Sequence, residues 1–222
     1  MILPRGLIVS CQARADNPLH GPAFMVGMAR AAELGGAGAI RANGPDDIAA
    51  ICAATNLPVI GIHKIFHEDE AVYITPTIAA ARAVIAAGAR VVGFDATARA
   101  RKGDPPATIM AAIHAAGAES FADIATLDEG LDAAAMGAHY VSTTLSGYTD
   151  ATAGRGPGPD LDLVAQLCAR VSVPVVAEGR FNTPDLARAA LAAGAHAVVV
   201  GTMITNPTVI TRAFTSALSD CV

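Results

Sequence analysis

One short pattern recurs along this chain and limits what it can fold into. A helix-like, Ala-rich run ends in a pair of small residues, and a few apolar residues follow at once. LGGAGAIRA, AAGARVVGFDAT, AAGAESFADIA, AMGAHYVSTTL and AAGAHAVVVG are five instances of it. Glycine at a helix end accepts the left-handed conformation that closes the helix. The apolar runs do not alternate with polar residues, which is how strands of a parallel sheet covered on both faces read. Thr leads the helical stretches TIAAARAVIAAG and TPDLARAALAAG, where its hydroxyl can cap free amides, and the second adds Pro at the first helical position.

Eight strands are expected, at 6–11, 36–41, 58–64, 89–95, 118–123, 138–143, 173–178 and 195–201, each followed by a helical stretch. Eight such units of roughly 28 residues suit a compact α/β protein, a single (β/α)8 TIM barrel, and we expect one catalytic domain over residues 1–222. An open doubly wound sheet is the alternative, but no G-x-G-x-x-G follows the first strand. The Gly/Pro-rich GYTDATAGRGPGPD reads as one long loop after the sixth strand rather than as a linker.

Composition excludes several classes. With 53% apolar and 16% charged residues the chain is not disordered. A net charge of −5, 4% aromatic residues and no Trp give no reason to expect nucleic acid. No apolar run is long enough to cross a bilayer, and Pro4 and Arg5 interrupt the first one, so no signal peptide is visible. Cys11, Cys52, Cys168 and Cys221 are scattered, without metal spacing, which fits a reduced cytoplasmic protein. His20, His67, His114, His139 and His196 show no two-His spacing with a carboxylate, so no metal is expected.

In such a barrel function sits at the C-terminal ends of the strands. The polar residues expected there are Gln12, Arg41, Lys64, Asp95, Asp123, Ser142 to Thr144, Glu178 and Gly201-Thr202, whereas the opposite ends carry mostly Gly, Ala and Pro. Alternation places Ile60, Ile62 and Lys64 on one face of the third strand and Val176 and Glu178 on one face of the seventh. His63 then points toward the helical layer, as a packing or hydrogen-bonding residue. The turns EGRFNTP and GTMITNP each put small residues ahead of a helix, a common phosphate site. Gly179 and Gly201 permit close approach there, and Arg180 adds charge.

The motifs GLIVSCQ, AIRANG, PVIGIHK, VYITPT, FADIAT, STTLSGYT, AEGRFNTP and AVVVGTMIT occur in order across nearly the whole chain. In them the sequence resembles the N-acetylmannosamine-6-phosphate 2-epimerase family. The resemblance implies a (β/α)8 barrel that interconverts N-acetylmannosamine 6-phosphate and N-acetylglucosamine 6-phosphate in amino-sugar or sialic-acid catabolism. It implies Lys64 as proton acceptor and Glu178 as donor, with Gln12, Arg41, Asp123 and Arg180 holding the substrate. It also implies Gly179, Arg180, Gly201 and Thr202 at the phosphate. Inverting a carbon beside a carbonyl needs only a base, an acid and donors for the enolate oxygen, so no cofactor is expected. Lys64 must then lose basicity through burial or a nearby cation, and Arg41 and Arg180 are the candidate cations. Two departures from the family stand out: Asn206 where the family often has Arg, and apolar Ile65-Phe66 after the lysine. Tyr148 is a candidate cover for the bound substrate. A Schiff-base aldolase using Lys64, and a sugar-phosphate binder without turnover, are the rival readings. Ala-rich helix faces suggest a homodimer.

Overall fold

The computed structural model describes residues 1–219; Cys221 lies outside the described residues. Eight strands, β1 (Gly6–Cys11), β2 (Ala39–Asn43), β3 (Val59–Ile62), β4 (Val91–Asp95), β5 (Glu119–Asp123), β6 (Tyr140–Ser142), β7 (Val175–Glu178) and β8 (Ala197–Val200), close in sequence order into an all-parallel barrel. Helices follow them in turn: α1 (Pro22–Leu34), α2 (Pro45–Ala54), α3 (Ile78–Ala86), α4 (Pro106–Ala115), α5 (Leu127–Ala135), α6 (Leu161–Arg170) and α7 (Pro184–Ala192). A short α8 (Thr202–Thr205) and a terminal α9 (Pro207–Leu218) come after β8. The open-sheet alternative is thereby set aside.

The recurring Gly-Ala pair is a cap that closes five helices in the same way. Gly36, Gly88, Gly117, Gly137 and Gly194 all have positive φ. The next residue, Ala37, Ala89, Ala118, Ala138 or Ala195, donates its N–H to the carbonyl five residues back. Each of these alanines is buried. This is the Schellman arrangement, which satisfies carbonyls that a helix end would otherwise leave unpaired. It also corrects the expected strand starts. The Gly-Ala residues belong to the caps, so β2, β4, β5, β6 and β8 begin later than expected, β2 at Ala39 rather than 36. Thr77 and Thr183 cap α3 and α7 by accepting the N–H of Ala80 and Leu186.

Ile8, Ala39, Ile60, Val91, Phe121, Tyr140, Val176, Ala197 and Val199 fill the barrel interior, with Leu3 beneath them. The pairings Ile8↔Ala39, Arg41↔Ile60, Gly93↔Phe121, Asp95↔Asp123, Val176↔Ala197 and Ile8↔Val199 keep inward residues beside inward residues all the way round. A larger cluster, including Ile40, Ile48, Ile51, Val92, Phe94 and Ile113, joins the sheet to the helices. Each such side chain stabilises the fold by about 1.5–3 kcal/mol through removal from water. The far end is less bare than expected. Glu119 there accepts from Tyr140 Oη at 2.7 Å and from the Ile2 N–H at 2.8 Å, and it pairs with the Met1 ammonium at 3.0 Å. That carboxylate is spent on closing the bottom of the barrel, leaving the other end for chemistry.

Candidate active site

Arg41 forms the centre of the site. Inward on β2 and only 1% exposed, it meets Asp123 of β5 through two parallel bonds, Nη1 to Oδ1 at 2.9 Å and Nη2 to Oδ2 at 2.7 Å. Nη1 also donates to Glu178 Oε2 of β7 at 2.7 Å. Two-pronged guanidinium–carboxylate pairs are strong and orienting. Phe121 carries the guanidinium over its ring at 5.2 Å. Gly93 leaves room for the pair: a Cβ there would stand 2.6 Å from Ile62 Cγ2 and 3.6 Å from Arg41 Nη2 and Asp123 Oδ2. Thr144 donates to Asp123 Oδ1 at 2.5 Å and shares a hydrogen bond with Ser142. Burial pushes the Glu178 carboxyl above its ordinary pKa, against the pull of Arg41, while neighbouring Asp123 pushes it further up.

Lys64 reaches the site from outside the regular strand. β3 ends at Ile62, not at 64 as expected, and its ladder with β4 stops after Ile60↔Val91 and Gly61↔Val92. The chain then loops out and returns, and Lys64 pairs with Ile74 in a single antiparallel bridge. The Lys64 N–H donates to Asn43 Oδ1 at 2.8 Å. Burial, and after it the Arg41 cation, lower the amine from 10.5 to about 8, while Glu178 and Asp123 oppose the shift and Arg14 adds a little to it. None of the seven ion pairs among the described residues includes Lys64. A half-buried amine of reduced basicity, unpaired, is fit to exchange a proton near pH 8. His63 beside it is half-buried, and desolvation lowers its pKa.

The remaining expected residues divide. Gln12 donates through Nε2 to Ser10 Oγ at 2.8 Å, leaving its buried Oε1 unpaired. Arg180 is committed elsewhere: Nε and Nη1 each donate at 2.6 Å to the carbonyls of Gly158 and Ser146, and the guanidinium lies 5.3 Å over the exposed Tyr148 ring. It fastens the long loop after β6, and the cations acting on Lys64 are Arg41 and Arg14. Asp95, expected at the mouth, is buried and balanced by Arg99 at 2.5 Å and Arg101 at 3.3 Å. Among the described residues the amides of Gly179, Arg180, Thr202 and Met203 donate to no protein acceptor. Asn206 accepts the Val209 N–H at 3.2 Å and caps α9. Phe66 stacks on Tyr73 at 4.9 Å under the Arg14 cation, so the apolar pair after the lysine braces the excursion.

Sequence reasoning missed Asn43, Thr75, Arg14, Arg99 and Arg101. Asn43 was findable, because alternation from Arg41 puts it on the same face. Nothing in the sequence marks Thr75, whose hydroxyl joins His63 to Gly93 across a long stretch of chain.

A closed parallel barrel with a weakened amine, a carboxyl of raised pKa and a buried guanidinium at the C-terminal ends of its strands is built as an acid–base enzyme of the barrel class. The family model described as "Putative N-acetylmannosamine-6-phosphate epimerase" matches residues 25–220. A relative from Caldanaerobacter subterraneus subsp. tengcongensis, described in the same way as a 2-epimerase, is 47% identical over 98% of this chain and 93% of its own length. One from Clostridium perfringens is 44% identical over 98% of both chains. The solved N-acetylmannosamine-6-phosphate 2-epimerase from Clostridium perfringens superposes with a TM-score of 0.93, at 44% identity, over 98% of this chain and 94% of that one. The chain belongs to the N-acetylmannosamine-6-phosphate epimerase family. A thiamine phosphate pyrophosphorylase from Pyrococcus furiosus, 20% identical with a TM-score of 0.63, shares the fold alone.

Proposed function

We propose that this protein interconverts N-acetylmannosamine 6-phosphate and N-acetylglucosamine 6-phosphate at carbon 2, as a step of amino-sugar catabolism in the cytoplasm. The carrying observation is an unpaired amine near pKa 8 coupled electrostatically, through one buried arginine, to a carboxyl of raised pKa. In the open-chain aldehyde, Lys64 Nζ takes the proton from carbon 2 and the electron pair moves onto the carbonyl oxygen. Glu178 then gives a proton to the opposite face of carbon 2 as the carbonyl re-forms. β3 and β7 stand four strands apart in a ring of eight, so the two groups approach from opposite sides. The reverse reaction starts from the ammonium and the carboxylate.

Two of the three buried side-chain atoms lacking partners among the described residues, Arg41 Nε and Gln12 Oε1 (the third is His63 Nδ1), support a polar substrate at the site, since buried polar groups are otherwise paired. Arg41 Nε–H donates to a sugar oxygen and Gln12 Oε1 accepts a sugar hydroxyl, with Asp123 fixing Arg41. The phosphate falls to the free amides of the turns at Gly179-Arg180 and Gly201-Thr202, with Asn206 occupied as a helix cap. The comparisons lend nothing to the aldolase and binder readings, and borohydride reduction in the presence of substrate should leave Lys64 unmodified.

Both directions need one proton shared between Lys64 and Glu178, so kcat/KM for deuterium exchange at carbon 2 should be bell-shaped. Its alkaline limb should fall near pH 8, where the pair loses that proton. A rate that rises through pH 8 and stays high would instead mean that Lys64 acts without Glu178. No exchange in heavy water with the phosphorylated sugar would overturn the epimerase reading.

We also infer a homodimer, formed through α9, where the sequence suggested the Ala-rich helix faces. None of the twelve residues of α9 is buried, and Phe214 and Leu218 are 68% and 59% exposed. A second copy is the occupant that a symmetric soluble enzyme supplies. Light scattering should give twice the chain mass, and Phe214→Asp with Leu218→Asp should give the chain mass. A wild type that scatters as one chain would end this reading.

A further inference from the structure

Lys64 depends on a segment that the acid–base chemistry does not itself use. Val72–Thr75 returns from the excursion after β3 and lies between the ends of β3 and β4. Ile74 bridges Lys64 on one side and accepts the Asp95 N–H at 3.0 Å on the other. Thr75 locks this wedge. It is fully buried, its N–H donates to the His63 carbonyl at 2.9 Å, and its Oγ1 accepts the His63 N–H at 3.0 Å while donating to the Gly93 carbonyl at 2.6 Å. Its φ is +45°, directly ahead of Pro76. For a β-branched residue that conformation is strained, and such strain persists only where the surroundings over-determine it. Apart from glycines, only Thr75 and Arg180 have positive φ among the described residues.

We propose that Thr75 is a positioning residue for the reaction. By holding the wedge open between β3 and β4, it turns the Lys64 amine out of the sheet line and over the substrate, with Asn43 tethering the same lysine from β2. The wedge has a direct consequence for ladder geometry. Without it β3 would continue pairing with β4 beyond Gly61, and Lys64 would follow the strand instead of crossing the mouth. The proposal rests on the reading of Lys64 as the base, so its test is read in two independent ways.

The chain has two lysines, Lys64 and Lys102, which makes competitive acetylation with acetic anhydride, quantified by peptide mass spectrometry across pH, a direct measure of Lys64 with Lys102 as internal reference. Wild type should titrate near 8 at Lys64. Thr75→Val keeps the shape and removes the hydroxyl. It should move the midpoint upward, shift the alkaline limb of kcat/KM the same way, and lower kcat by about 10²-fold with KM within about threefold. Thr75→Ser should restore both midpoints. Should Thr75→Val fail to fold, Thr75→Gly tests the same loss, because glycine accepts the positive φ without strain. A folded Val or Gly variant with unshifted Lys64 acetylation and kcat within about twofold of wild type would reduce Thr75 to a purely structural residue and overturn the proposal. A wild type inactive on the sugar phosphate would defeat the epimerase reading alone, since the acetylation midpoint still reports on Thr75.

Discussion

Lys64→Met should abolish epimerisation, by on the order of 10³-fold or more, and make the protein more stable at neutral pH. The activity loss follows from removing the base. The stability gain follows from what the site imposes on a charged amine: its pKa falls from 10.5 to about 8, chiefly through burial. At pH 7 the folded chain must keep a desolvated ammonium that the unfolded chain keeps in water. A lowered pKa in the folded state means that stability rises with pH between about 8 and 10.5, and that the penalty is present in full below 8. Its size is about 1–3 kcal/mol, the lower figure allowing for partial exposure. In a chain of this length that corresponds to a few degrees in Tm, roughly 2–4 °C per kcal/mol. Calorimetry at pH 7 and pH 10.5 checks the sign, because the advantage of methionine should shrink at the higher pH. Equal melting of both proteins at pH 7 would show that Lys64 carries no such penalty.

Arg41→Met should destabilise the fold by about 3–5 kcal/mol. Asp123 is fully buried and Glu178 is 14% exposed, and both meet Arg41 at 2.7 Å. Without the guanidinium two carboxylates face each other in the barrel mouth with no cation bonded to either. Arg41→Lys keeps a charge but loses the two-pronged contact, so an intermediate cost is expected. Adding Asp123→Asn to Arg41→Met should recover part of the loss by removing one unpaired charge. Urea denaturation of the single and double variants measures this coupling, and additive costs would mean that Arg41 and Asp123 are not energetically linked. In Arg41→Met the pKa of Lys64 should rise, since Arg41 is the largest charge effect holding it down.

The barrel was legible because its signals are local and repeated. Five Gly-Ala caps and eight apolar runs recur at a regular interval, and helix closure and strand burial each depend on a few adjacent residues. Lys64 and Glu178 were visible as charges where apolar strands end, with side-chain alternation giving their direction. What stayed hidden depends on distant partners. The early end of β3 is set by the return segment at 72–75, which periodicity within β3 does not report. Arg180 sits at φ +61° and bonds the Gly158 and Ser146 carbonyls, a backbone state and partners that its residue type does not announce. Asn206 is a helix cap by virtue of the turn it occupies, and the exposed face of α9 shows only once the barrel is already full.

The Gly-Ala caps all lie at the starts of strands, the face opposite the amine and the carboxyl. Helix closure and reactivity are thus written on separate floors of the same building. Laboratory evolution aimed at new sugars can rewrite those upper loops that do not hold Thr75 or Arg180, so long as it leaves the small joints below untouched.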